Sequence, residues 1–180
     1  MNQIRLTCRC GKSAMVLAGP PIVAAECHCT SCQDAASIME ALPDGVSELA
    51  ETGGTQFVLM RKDRIRFADG AERLRHFRLK PDSKTRRVVA TCCSSPMFLE
   101  FADGHWLSIY AARWPEGQRP QMDLRTMTKD REEGPSLPND IPNPKSHTVG
   151  FMVRLLVAWV AMRFRVPKVN VAEERMTFDV

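Results

Sequence analysis

A mainly β domain pinned by metal and followed by one apolar helix is the fold class predicted for this chain, on three observations. Residues 3 to 114 alternate short apolar runs with glycine, Asp-Gly and proline turn signals. Seven cysteines fall in three tight clusters, Cys8-x-Cys10, Cys27-His28-Cys29-x-x-Cys32 and Cys92-Cys93. After a proline-rich interval, a single apolar stretch runs from Val149 to Met162, broken only by Gly150 and Arg154.

The elements follow in order. Ile4 to Cys10 and Ala14 to Leu17 read as strands around Gly11. A short helix is expected from Cys32 to Leu42, capped by Thr30 or Ser31 and stopped by Pro43. Gly53-Gly54 introduces a strand over Thr55 to Met60, and Asp69-Gly70 and Asp103-Gly104 are hairpin signals, the second joining Met97–Phe101 to Trp106–Tyr110. Residues 3 to 114 therefore form the β domain. Residues 115 to 148, rich in proline and polar side chains, read as an extended connector or irregular surface loop. A helix is expected within 149 to 166, with 167 to 180 as a tail. Its apolar stretch would reach only about 21 Å, short of the ~30 Å hydrocarbon core, so no transmembrane span is expected. Packing against the β domain or a homodimer contact through this helix is the expectation. The sharper alternative is a helix lying on a membrane surface through its apolar face and flanking arginines.

In a strand, residues two apart share a face, so each Cys-x-Cys aims two sulfurs at one point, and Cys32 can close the second cluster from a following turn. This is metal-ligand spacing, and zinc is the metal it suits. A disulfide framework would need an oxidising compartment and usually an even count. No charged region followed by an apolar run opens the sequence, so a reducing cytoplasm is the expected location. Three thiolates at Cys27, Cys29 and Cys32 would leave zinc an open tetrahedral position, the mark of a catalytic rather than a structural site. The competing arrangement closes that position with His28, whose side chain should point away from its cysteine neighbours, or with a distant residue.

The net charge of +4 permits an anionic partner without demanding one. Eleven Lys or Arg lie between Arg61 and Arg87, readable as a solvated sheet face or as an attractor of anionic substrate. Nucleic acid is not the expected partner, because only Phe67 and Phe77 interleave these cations and no recognition motif accompanies them. His76, His105 and His147 each stand alone and read as surface or hairpin residues, and Trp106, Tyr110 and Trp114 as core. No glycine-rich phosphate loop or serine nucleophile elbow is present.

The ordered set Cys8-x-Cys10-Gly11, Cys27-His28-Cys29-Thr30-x-Cys32, Gly53-Gly54-Thr55 and Cys93-Ser94-Ser95-Pro96 resembles the glutathione-dependent formaldehyde-activating enzyme and centromere protein V family over residues 3 to 114. The resemblance implies a β-tent fold with two zinc sites, one structural with four cysteines and one with three that accepts the thiol of glutathione. It places Cys8, Cys10 and Cys93 at structural positions and Cys27, Cys29 and Cys32 at the open site. The family pattern Cys-x-x-Cys-Gly-Ser-Pro is broken here by Ala90 and Ser94, which makes Cys92 the replacement ligand, provided the chain turns between Cys92 and Cys93. The activity implied is a carbon-sulfur lyase reaction, forming or cleaving a bond between a glutathione-type thiol and a small aldehyde such as formaldehyde. The alternative is a non-catalytic, zinc-stabilised scaffold or interaction protein of the same descent. No residue in the sequence stands out as the general acid.

Overall fold

The computed structural model describes residues 3–131 and 135–176. Ten strands and two helices occur among them: β1 Gln3–Thr7, β2 Ala14–Ala18, β3 Val23–Cys27, α1 Thr30–Glu40, β4 Thr55–Arg61, β5 Ile65–Asp69, β6 Leu74–Phe77, β7 Thr85–Ala90, β8 Ser95–Phe101, β9 Trp106–Tyr110, β10 Leu124–Thr126 and α2 Val149–Ala161. The fold class is mainly β with a C-terminal helix, as expected. A three-stranded sheet runs β1-β2-β5, and a seven-stranded sheet runs β10-β3-β4-β9-β8-β7-β6. All neighbours are antiparallel except β10 and β3.

The larger sheet is apolar on both faces, which is why β3 and β4 read as nearly continuous apolar runs. On one face Ala24, Val58, Met60, Phe98, Leu107 and Ile109 pack against Leu6, Met15 and Leu17 of the small sheet. On the other face Val23, Ala25, Phe57, Leu59 and Tyr110 meet Ala35 and Met39 of α1 and Phe151 and Leu155 of α2. Successive residues of one strand thus serve opposite cores, the period-two alternation of a central strand.

Several boundaries differ from the sequence expectation. The first strand stops at Thr7, because residues 8 to 13 fold into a turn in which Gly11 has φ +74°. α1 begins at Thr30 rather than Cys32, and its N-cap is Cys29, which makes no side-chain cap bond, rather than Thr30 or Ser31. Asp69-Gly70 is not a hairpin. Gly70 (φ +63°) instead sends the chain from β5 in the small sheet to β6 in the large one. A Cβ there would lie 2.0 Å from the Lys12 carbonyl oxygen, so only glycine fits this corner. Asp103-Gly104 does join the paired strands β8 and β9.

The proline-rich segment carries β10, whose three residues are all buried, so part of it belongs to the sheet. The tail also pairs: the amide of His76 donates to the Glu174 carbonyl at 3.1 Å and that of Met176 to the His76 carbonyl at 2.7 Å. The basic run is largely engaged. Lys62 and Arg86 reach Glu100 at 2.5 and 2.6 Å, Arg61 reaches Asp63 at 2.6 Å and Arg75 reaches Glu174 at 2.7 Å. Lys62 and Arg87 are buried, so the run is neither a simple solvated face nor a free cationic patch.

Candidate metal centres

The structure brings Cys8, Cys10, Cys92 and Cys93 together from two turns. After β1, the Cys8 amide donates to the Ser13 carbonyl at 2.9 Å and the Gly11 amide to the Cys8 carbonyl at 3.0 Å, curling the chain so that Cys8 and Cys10 face one point. Between β7 and β8, residues 91 to 94 form a tight turn in which Ser94 takes φ +48°, and Cys92 and Cys93 come to the same side with sulfurs 4.0 Å apart. The two turns are held together by Arg9, whose amide donates to Ser95 Oγ at 3.0 Å and whose guanidinium donates to the Asp44 and Cys93 carbonyls.

Three further Sγ separations are 3.6 Å for Cys8–Cys10, 3.7 Å for Cys8–Cys92 and 3.4 Å for Cys10–Cys92, and all four sulfurs lie within 4.8 Å of one another. A tetrahedral ion with metal–sulfur bonds of about 2.3 Å has sulfur–sulfur edges of about 3.8 Å, so these residues fit one metal ion. Crowding supports the same conclusion. Burial and the thiols of Cys10 and Cys8 push Cys92 up to about 12, while at Cys93 burial is outweighed by hydrogen bonds from Ser95 and Cys10, which bring it down to about 6. Such a cluster cannot ionise fully without a cation among the sulfurs.

Cys27, Cys29 and Cys32 form the second group, their sulfurs all within 4.8 Å of one another. Cys27 ends β3, and the next amide, that of His28, donates to the Thr126 carbonyl of β10 at 3.0 Å. Cys29 caps α1, and its carbonyl accepts from the Cys32 amide at 2.8 Å. Cys29 is pulled well down by hydrogen bonds from the Cys27 and Cys32 thiols, and those two are pushed up by giving them. The helix N-terminus adds positive potential beside this thiolate. No fourth His, Cys, Asp or Glu joins the group among the described residues.

His28 points to the opposite side of the strand, where its Nε2 lies 2.9 Å from Glu26 Oε1, both side chains buried. Gln56 Nε2 donates to Glu26 Oε2 at 3.0 Å, Thr52 Oγ1 donates to Oε1, and Arg125 Nε stands 3.3 Å from Oε1. Arg125 is fixed in turn by Asp140 at 2.7 Å. Burial would raise the Glu26 carboxyl, but these partners outweigh it and hold it down to about 2. Gly54 makes this possible, since a Cβ there would sit 2.6 Å from Glu26 Cγ and 2.8 Å from His28 Nε2.

A cavity of about 250 Å³ opens on the three thiols. Phe57, Leu99, Phe101, Trp106 and Phe151 form its apolar walls, and Ser31, Thr85, Ser108, Thr126 and His147 bring polar groups to it. None of its lining residues is Lys, Arg, Asp or Glu. His147 is held by Thr126 Oγ1, 3.1 Å from its Nδ1, and stacks on Phe151 with ring centroids 4.9 Å apart. Nothing in the sequence around His147 brings it to the thiols. It arrives because β10 lies beside β3 and α2 packs over the sheet. The Glu26 network did leave a signal, an acid within the otherwise apolar run of β3.

No family model matches the chain, and no curated protein matches it. Among solved structures, the chain is similar to the crystal structure of a Rhodobacter sphaeroides protein determined as a structural-genomics target, at 18% identity and a TM-score of 0.45 over 65% of this chain and 92% of that one.

Proposed function

We propose that this protein is a zinc-dependent enzyme that forms or cleaves a carbon-sulfur bond between a glutathione-type thiol and a small aldehyde such as formaldehyde, in the cytoplasm. The observation that carries the reading is a three-thiol cluster, with no fourth side-chain ligand among the described residues, at the end of a cavity. All-sulfur donor sets suit zinc. The resemblance to the formaldehyde-activating family supports the same chemistry.

Cys27, Cys29 and Cys32 would hold the catalytic zinc, and Cys8, Cys10, Cys92 and Cys93 a structural one. The chemistry the catalytic zinc supplies when bound is thiol activation, by lowering the pKa of an incoming thiol and fixing its sulfur. The apolar walls orient the aldehyde and exclude water, which would otherwise hydrate it. In the addition direction a carbon-sulfur bond forms, the carbonyl π bond breaks, and the proton lost by the thiol ends on the new hydroxyl. His147 is the side chain placed to move that proton, and Thr126 holds its ring. The cavity offers no charged group, so the thiol arm of a glutathione-type substrate enters while its carboxylates remain at the mouth.

The test is to incubate zinc-loaded protein with thiol and ¹³C-formaldehyde and follow exchange between free and S-hydroxymethyl carbon by NMR. Exchange no faster than in buffer sinks the enzymatic reading. The second reading, a zinc-stabilised scaffold, is favoured by a single observation, the outward apolar face of α2.

A further inference from the structure

The helix expected to hide its apolar surface hides only half of it. Phe151, Leu155 and Ala158, with Met162 just beyond the helix, are buried against the domain. The opposite face is equally apolar and open: Val149 is 80% exposed and Val157 61%, with Met152, Val153, Leu156 and Val160 each about half exposed. These positions repeat at three- and four-residue intervals, so they form one stripe along a single face of the 13-residue helix. The stripe continues past the helix end. Arg163 and Phe164 both take left-handed backbone (φ +53° and +59°), a costly pair for non-glycine residues. That turn sets Phe164 edge-on against Trp159, 5.2 Å between centroids, and leaves it 59% exposed. Beside the stripe, His105, Trp106, Met152, Leu156 and Trp159 line an apolar groove of about 560 Å³.

Charge decides what covers this face. From Ile141 to Ala172 the sequence holds Lys145, Arg154, Arg163, Arg165 and Lys168 and no acid. Of the acids around this segment, Asp123 pairs with Arg154 at 3.0 Å, Asp103 with Lys84 at 3.1 Å and Asp63 with Arg61 at 2.6 Å, while Glu173 lines a pocket with Lys168. Lys145, Arg163, Arg165 and Lys168 stay exposed at the two ends of the stripe. A second copy seated here would set these cations against one another with no acid in the segment to meet them. A flat, apolar helix face with cations at both ends instead matches the boundary between acyl chains and anionic headgroups.

We propose that α2 lies in the plane of a bilayer surface rich in anionic lipid, with Val149, Val153, Leu156, Val160 and Phe164 among the acyl chains and Lys145, Arg163, Arg165 and Lys168 at the phosphates. The domain itself takes the place of the polar face that a free interfacial helix would need. No described helix is long and apolar enough to cross the membrane, so the association is peripheral and reversible.

Flotation of the full chain with phosphatidylcholine vesicles, with and without 30% phosphatidylglycerol, tests this. The expected result is binding to the anionic vesicles, falling at least tenfold in affinity between ~50 mM and ~500 mM salt as screening shortens. Arg163→Gln with Arg165→Gln should weaken binding roughly tenfold or more, at about one lipid-facing charge each. Leu156→Glu with Val160→Glu should abolish it, and because both side chains are half exposed the variant should keep the wild-type unfolding midpoint. No flotation with anionic vesicles overturns the proposal. So does a stable dimer in sedimentation at vesicle-free micromolar concentration that Leu156→Glu dissociates, which would assign the face to a second copy.

Discussion

Cys10 Sγ lies 3.4 Å from Cys92 Sγ across 82 residues of sequence. One turn follows the first strand of the small sheet and the other joins two strands of the large sheet, so an ion held by both would cross-link the two sheets. Cys92→Ser should therefore remove one zinc per chain and destabilise the whole domain. Structural zinc is worth about 10 kcal/mol in small domains, and a chain of this size shifts by about 2–4 °C per kcal/mol, so the midpoint should fall by at least about 10 °C. Cys32→Ser should also remove one zinc but leave the midpoint within a few degrees. Metal analysis and thermal unfolding of both variants check this, and equal midpoints would mean the two clusters do not differ in role.

Thiol binding separates an open centre from a closed one. Reduced glutathione should bind the zinc-loaded protein with release of a proton, whereas S-methylglutathione should bind at least tenfold more weakly, because it has no thiol to ionise. Calorimetry in two buffers of different ionisation enthalpy reads the proton. Because the cavity lining carries no charge, an uncharged thiol such as 2-mercaptoethanol should show the same proton release. Cys29→Ala should lose the response to both thiols, and retention of it would place thiol binding elsewhere.

How much of this was legible beforehand depended on how local the signal was. The strands of the large sheet were readable because β4, β8 and β9 carry their own apolar runs and turn signals. Clustering pointed to metal because Cys-x-Cys spacing constrains geometry within a few residues. What was missed is long-range. Asp69-Gly70 looks like a hairpin locally but turns a corner between sheets, since the choice of partner for β6 lies in β7. Cys29 caps α1 in place of Thr30 or Ser31 because the helix must start where the thiols converge. His147 is 21 residues from Thr126, and only the parallel pairing of β10 with β3 puts either beside the cysteines.

The buried Glu26 network should show in the pH dependence of stability. Its carboxyl is lowered from 4.5 to about 2, so the stabilisation is present above pH 4.5 and is lost as pH falls from there toward 2. Linkage over that interval gives about 3 kcal/mol as an upper figure. Glu26→Gln should be less stable than wild type by about 2 kcal/mol at pH 7, with the difference shrinking below pH 4. Urea unfolding at several pH values measures it, and a difference independent of pH would mean the carboxylate charge is not what the network holds.

Gly54→Ala places a methyl group against both Glu26 and His28, which are buried and backed by the sheet. Neither neighbour is the free end of an exposed side chain, so one or both must shift. Stability should fall by about 2 kcal/mol, in the range of overpacked cores. Because Glu26 and His28 flank Cys27, thiol affinity at the three-cysteine cluster should fall with it, while zinc at the four-cysteine cluster stays. Cadmium substitution followed by ¹¹³Cd NMR would report the two clusters as separate resonances. A change confined to the four-cysteine signal would contradict the placement of this network behind the three-thiol site.

His147 is the side chain by which proton transfer can be tested apart from binding. It lines the cavity with the three thiols, takes a 3.1 Å hydrogen bond from or to Thr126, and stacks on Phe151, so its ring is held although it is exposed. A positioned acid-base group contributes about 10²–10⁴-fold to turnover, whereas a residue that only shapes the cavity acts mainly on substrate affinity. His147→Gln should lower kcat by about a hundredfold, keep both zinc ions, and leave glutathione affinity within a factor of about three. Thr126→Val, which releases the ring without removing it, should give a smaller loss of kcat. Stopped-flow exchange kinetics measure all three proteins. An unchanged kcat in His147→Gln, with the whole effect in KM, would reduce His147 to a wall of the cavity and leave the proton to solvent.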